Sequence, residues 1–210
     1  MINFTKAFSF MFEDKNWPVK VFLGAIFNLL SLILVGIPFV LGYLLELARN
    51  SSEGKEIPLP EWDKLGDKFT RGLIYLIILI VYSIPGMILS FIPCVKYCLG
   101  PLYFLALMFA LPYITLKYAK TGSFEEAFRF NDMFEFVKQN LNNLIMVVLL
   151  TIALEIIASF GVLALVVGVF FTCFWASLAV YYLYGKVYRE GEKAEGDSSG
   201  GESPSQPAVS

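Results

Sequence analysis

The 210-residue chain is 57% hydrophobic and 16% charged with a mean hydropathy of +0.67, which excludes an ordinary soluble domain. A formal net charge of -2 leaves no basic face to neutralise phosphates, so nucleic acid is excluded as a partner. Histidine is absent, and Cys94, Cys98 and Cys173 make no disulfide framework, so the commonest general base and metal ligand are missing and no cofactor is implied.

The charges crowd into short stretches between long apolar runs, a pattern that predicts an all-α polytopic membrane bundle with interfacial amphipathic helices. Lys6, Glu13, Asp14 and Lys15 stand among aromatics in the first sixteen residues, so no cleavable signal peptide is expected. Within 3–16, Phe4, Ala7, Phe8, Met11 and Phe12 recur at helical spacing. Such a helix either lies in the headgroup region or packs against the bundle. Trp17 and Lys20 then mark an interface.

Residues 19–48 are almost continuously apolar, and as one helix they would extend ~45 Å, too long for one untilted span. Gly36-Ile37-Pro38 either kinks this run or turns it into two helices. A hairpin places fifteen of the sixteen basic residues on one side and leaves only Lys96 opposite, whereas one kinked helix divides them twelve to four. The positive-inside rule favours the hairpin, and with it about six membrane segments and both termini on the cytoplasmic side of a cell membrane. With one kinked helix there are five. The second arm, 37–48, is only ~18 Å long, so it is re-entrant or continues as helix through Asn50.

The connection 49–71 alternates in charge, with Pro58 and Pro60 bracketing a short extended piece and Trp62 suited to an interface. Gly42-Tyr43, Leu59-Pro60-Glu61-Trp62-Asp63, Gly72, and Tyr82 with Ile84-Pro85 together carry a resemblance over most of 1–188. The chain resembles the prokaryotic, largely archaeal, membrane family called domain of unknown function four-zero-one-three. That resemblance implies a multi-span protein and brings no catalytic residue with it.

Residues 72–92 form the next span, loosened at Pro85-Gly86, and a short connection, 93–98, leads into a span over 99–116 that carries Pro101 and Pro112. Beyond Thr121-Gly122, Phe124, Phe128, Phe130, Phe134 and Val137 oppose Glu125, Arg129 and Asp132 along 123–140. Phe124, Ala127, Phe128 and Phe130 repeat the spacing of Phe4, Ala7, Phe8 and Phe10, and Leu59, Trp62, Leu65 and Phe69 make a looser third copy. We therefore expect one membrane domain, 1–188, of three hairpin units at about 1–50, 51–120 and 121–188, each opened by an amphipathic helix. The last two spans, 141–159 and 162–186, hinge at Phe160-Gly161, and the Glu-, Gly- and Ser-rich tail, 189–210, should be disordered on the cytoplasmic side.

A carboxylate inside a span costs on the order of 2.5 to 3.5 kcal/mol on insertion scales, so intramembrane acids are candidate sites. Glu155 shares a helix face with Thr151 and Ser159, and in the six-segment arrangement Lys96 is placed to pair with it. The pair either closes the bundle or serves as a proton or cation site. Asn28 adds a polar group to the first span, and Ala164, Gly168, Thr172 and Ala176 make a small-residue seam for helix packing on the last. Cys94 and Cys98 read as ordinary thiols, with no metal assigned. Walker, dinucleotide, nucleophile-elbow and HExxH motifs are all absent, so no enzyme is expected. The composition points to a non-catalytic component that organises membrane lipids or a membrane protein partner, itself included. The alternative is a small-solute or ion permease built on Glu155 and its proline-broken helices.

Overall fold

The computed structural model describes residues 9–159 and 165–199, apart from the side chains of 93–96, 98, 158–159, 165–171 and 194–199. The described residues form seven α-helices and no strand. These are α1 (Trp17–Leu30), α2 (Gly36–Glu53), α3 (Leu65–Ser90), α4 (Pro93–Thr121), α5 (Phe130–Gln139), α6 (Leu141–Ser159) and α7 (Leu165–Ser199).

The apolar run at 19–48 is two helices. A 3-10 turn over Ser31–Ile33 and a left-handed Leu34 (φ 65°) separate α1 from α2. Pro38 falls in the first turn of α2, where its missing N–H leaves no helical hydrogen bond unmade. Gly36 fits the turn because a Cβ there would lie 2.0 Å from the Phe27 carbonyl oxygen. Twelve residues separate Phe27 from Phe39, a distance of ~18 Å along one helix. Their ring centroids are 5.0 Å apart, so the chain has doubled back into a hairpin.

Helix α2 is the post of the bundle and packs on α3, α7, α1 and α4. It continues as helix through Asn50 to Glu53, in line with the extended alternative, and Gly54 closes it in the left-handed conformation (φ 77°). Its Tyr43, Leu44, Leu47 and Ala48 bury into a core shared with Phe174, Leu178, Ala179 and Leu183 of α7. Gly185 of α7 would place a Cβ 2.3 Å from the Ala48 carbonyl oxygen, and Ser51 donates to the Tyr182 carbonyl at 2.8 Å. The helices α3 and α4 run unbroken through Pro85, Pro101 and Pro112. The connection expected at 93–98 is shorter, because Pro93 opens α4 at a position where proline is preorganised for a helix. Among the described residues α3 and the Leu99–Thr121 part of α4 are long and apolar enough to cross a membrane.

The amphipathic stretches differ from expectation in three places. The middle copy is no separate helix. Residues 54–64 are non-helical, and Leu65 and Phe69 belong to the first turns of α3. Pro58 and Pro60 lack the N–H a helix requires, and side chains of α2 take their carbonyls instead. At the N-terminus only one 3-10 turn, Phe10–Glu13, is found among the described residues; Phe4, Ala7 and Phe8 lie outside them. There Phe10 and Met11 are buried, Phe10 stacking on Tyr182 at 4.3 Å, so they face the bundle and not the headgroups. The 123–140 copy divides into a 3-10 turn, Glu125–Phe128, and α5, which is bent by 89° from α6.

The chain past 189 also differs, since α7 continues to Ser199 through residues expected in a disordered tail. Lysine, glutamate and alanine are good helix formers, and Glu192 bonds Lys120 of α4 at 2.6 Å. Residues 160–164, which include Phe160-Gly161, and residues 200–210 lie outside the described residues.

Candidate functional site

The motif residues 42–72 converge on one strap. Residues 58–63 lie across α1 and α2, and the carbonyls of Pro58, Leu59 and Pro60 are met by side chains. Tyr43 Oη donates to the Pro60 carbonyl at 2.9 Å, and Asn50 Nδ2 donates to that of Pro58 at 3.0 Å. Trp62 Nε1 donates to the Lys20 carbonyl at 2.8 Å, while its ring stacks on Tyr43 at 4.2 Å and on Phe27 at 4.6 Å. Gly42 and Gly72 let α2 and α3 cross. A Cβ on Gly42 would lie 2.0 Å from the Lys68 carbonyl oxygen, and one on Gly72 1.8 Å from that of Pro38.

Two buried lysines pin the acidic ends of the strap. Lys20 Nζ lies 2.6 Å from both Glu61 and Asp14, and Lys68 Nζ lies 2.6 Å from Glu46 and 3.3 Å from Asp63. A buried ammonium is tolerated only when carboxylates surround it, which explains the Glu-Trp-Asp order: two acids reach two lysines while the indole between them packs inward. Burial opposes the charge of Asp14, but the Lys20 hydrogen bond, the Asn16 amide and the Lys20 charge outweigh it and hold its carboxyl below the ordinary value. The Lys68 hydrogen bond does the same for Asp63. Each of these polar groups is already engaged within the fold, so the strap is a latch.

Three cavities carry polar groups in their walls, one of them beside Lys68. One of about 220 Å³ between α4, α6 and α7 contains Glu155 and Thr151 together with Ser177, Tyr181 and Tyr184. Thr151 and Ser177 donate to the carbonyls one turn back in their own helices, Val147 and Cys173. A second, of about 300 Å³, lies where α2 and α3 meet the end of α4, lined by Arg49, Lys55, Lys64, Lys68 and Arg71 with Glu46, Glu53 and Asp67. The third, of about 320 Å³, is lined by Tyr113 and Lys117 of α4, α5, and Tyr188 and Glu192 of α7.

The model of a family described as a protein of unknown function, DUF4013, matches residues 26–167. The chain belongs to the DUF4013 family. No curated protein and no solved structure matches it.

The DUF4013 match includes the whole strap from Gly42 to Gly72 as well as Glu155, and leaves out Lys20 and the tyrosines of α7. Of the polar residues singled out in the sequence, the structure brings Thr151 and Glu155 to one cavity. The side chains of Lys96 and Ser159 lie outside the described residues, as does the packing of Ala164 and Gly168. Asn28 is half-buried on α1 and does not line that cavity. On the seam, Ala176 is buried and Thr172 half-buried. The close approaches fall instead at Gly42, Gly72, Gly185 and Gly24, whose Cβ would meet the ring of Phe174. Sequence reading missed Ser177, Tyr181 and Tyr184. Their spacing of four and three residues, one face of a helix, was the available signal.

Proposed function

We propose that this DUF4013 member is a multi-pass integral protein of the cell membrane that works without catalysis, organising lipid around the interfacial helix α5, with both termini cytoplasmic. The attitude of α5 carries the reading. It meets α6 at 89° and leaves Phe130 and Phe134 58% and 72% exposed, while Phe136 on its other face is buried. If α6 crosses a bilayer, α5 lies in the plane of the membrane with two phenyl rings in the acyl boundary. An apolar crevice of about 390 Å³, with Tyr82, Pro85, Leu107 and Phe128 among its walls, opens beside Phe130 and is suited to an acyl chain. Exposed Ile80, Met87, Phe104, Leu149 and Ile156 extend the apolar surface over α3, α4 and α6.

The test is depth. Phe134→Trp in vesicles containing brominated phospholipid should add indole emission that the bromines quench, relative to the wild type in the same vesicles. Unquenched added emission from a folded variant sinks the proposal.

One observation favours a second reading, a small-solute or ion permease. The Glu155 cavity gathers one carboxylate and four hydroxyls among apolar walls. On this reading Glu155→Gln, inserted and purified normally, changes proton- or solute-coupled flux in proteoliposomes, and equal flux in both proteins removes it.

A further inference from the structure

The cavity beneath α5 carries an unanswered polar group. Tyr113 is 2% exposed, and among the described residues its hydroxyl is the buried side-chain polar atom left without a hydrogen-bond partner. Such an atom is rare in a folded interior and needs an explanation. Tyr113 lines this cavity with Asp132 and Tyr188, and its hydroxyl also lies within electrostatic reach of Glu126 and Arg129 outside the lining.

The rest of the lining is mostly charged and aromatic. Asp132, Glu135 and Glu192 face a single cation, Lys117. Asp132 is held from outside by Arg129 at 3.5 Å and Glu192 by Lys120 at 2.6 Å, whereas Glu135 has, among the described residues, only the Gln139 amide at 3.4 Å. Aromatic faces complete the walls. Phe136 lies between Tyr113 and Tyr188, its ring 5.6 Å from one and 5.5 Å from the other. The Lys117 ammonium rests over the Tyr113 ring at 5.7 Å, and that of Lys120 over the Tyr188 ring at 4.5 Å. Both tyrosines thus already offer a ring face to an ammonium group, and Glu135 is the lining carboxylate that no cation pairs with among the described residues.

We propose that this cavity binds a primary ammonium group, which donates hydrogen bonds to Tyr113 Oη and Glu135 and lies against the ring of Phe136. The site is at the end of the bundle where α5, Lys117 and Lys120 gather, the level of headgroups in the lipid-organising reading, on which the inference rests. An aminophospholipid headgroup and a free amine share this chemistry.

The experiment uses the full chain in mixed micelles. Retained lipid is counted by native mass spectrometry with phosphatidylethanolamine or phosphatidylcholine, whose quaternary nitrogen has no N–H to donate, and soluble ethanolamine is titrated separately. We expect the wild type to retain phosphatidylethanolamine over phosphatidylcholine. Glu135→Gln and Tyr113→Phe should each weaken that binding by roughly tenfold, the loss of one hydrogen bond involving a charged group. Tyr113→Phe should meanwhile be no less stable in phosphatidylcholine, since it deletes an unpaired hydroxyl. Retention of phosphatidylethanolamine that ethanolamine does not displace assigns the site to a lipid. Saturable ethanolamine binding in lipid-free micelles that is lost in both variants assigns it to a free amine. Equal retention of the two lipids, no ethanolamine binding and no effect of either variant overturns the site. That last result alongside quenched indole emission from the Phe134→Trp variant would leave α5 in the membrane and remove only this ligand, whereas unquenched emission removes the lipid-organising reading itself.

Discussion

At the scale of single residues, the motif between Gly42 and Gly72 is about helices approaching one another. Gly72 is the sharpest case, because the atom a Cβ would meet at 1.8 Å is the backbone oxygen of Pro38, which cannot rotate aside. Gly72→Ala must therefore push α3 from α2, with a loss of roughly 1 to 3 kcal/mol typical of overpacking. Gly66, the second residue of the same helix, has nothing within 4 Å of its Cβ position. Gly66→Ala should be neutral or stabilising by up to about 1 kcal/mol, because alanine is the better helix former. Thermal unfolding of the two variants in one detergent checks the pair: Tm should fall for Gly72→Ala and hold or rise for Gly66→Ala. Equal midpoints would mean that the crossing of α2 and α3 yields without strain.

Among the elements, what could be read from the chain was whatever depends on near neighbours in sequence. A run of thirty almost continuously apolar residues with Gly36 and Pro38 in the middle signalled a break, and the placement of lysines and arginines chose the hairpin that Phe27 and Phe39 now show. The strap was legible only as a motif. Nothing local indicates that Lys20 waits for Glu61, or that Asn50 and Tyr43 take the carbonyls of Pro58 and Pro60, since these partners meet only after α1 and α2 have folded back. The same reason explains the helix expected at Leu59, Trp62, Leu65 and Phe69, whose apolar spacing was real but whose prolines had partners waiting outside a helix. Glu155 stood out because acids are rare in apolar runs. Tyr181 and Tyr184 did not, because a phenol near the end of a span reads as an interfacial anchor. Only the packing of α4 and α6 against α7 turns those hydroxyls into a cavity wall.

For the molecule as a whole, the strap makes global stability depend on one ammonium. Lys20 joins the turn before α1, through Asp14, to the loop between α2 and α3, through Glu61 and the Leu59 carbonyl, so losing one partner loosens three parts of the fold. Because the folded-state pKa of Asp14 is lowered from 3.8, its contribution is fully present above that value and is lost as the pH falls through the folded pKa. Near neutrality Asp14→Asn should cost about 1.5 to 3 kcal/mol, the range for a hydrogen bond to a charged group. As the pH is lowered past 3.8 the wild type should approach the variant, because protonation removes the same charge that the substitution removes. Parallel unfolding series in detergent, from neutrality into strong acid, give the gap directly. A gap that persisted undiminished into strong acid would show that the packing of the 14–20 segment, and not its ion pair, holds the strap to the bundle.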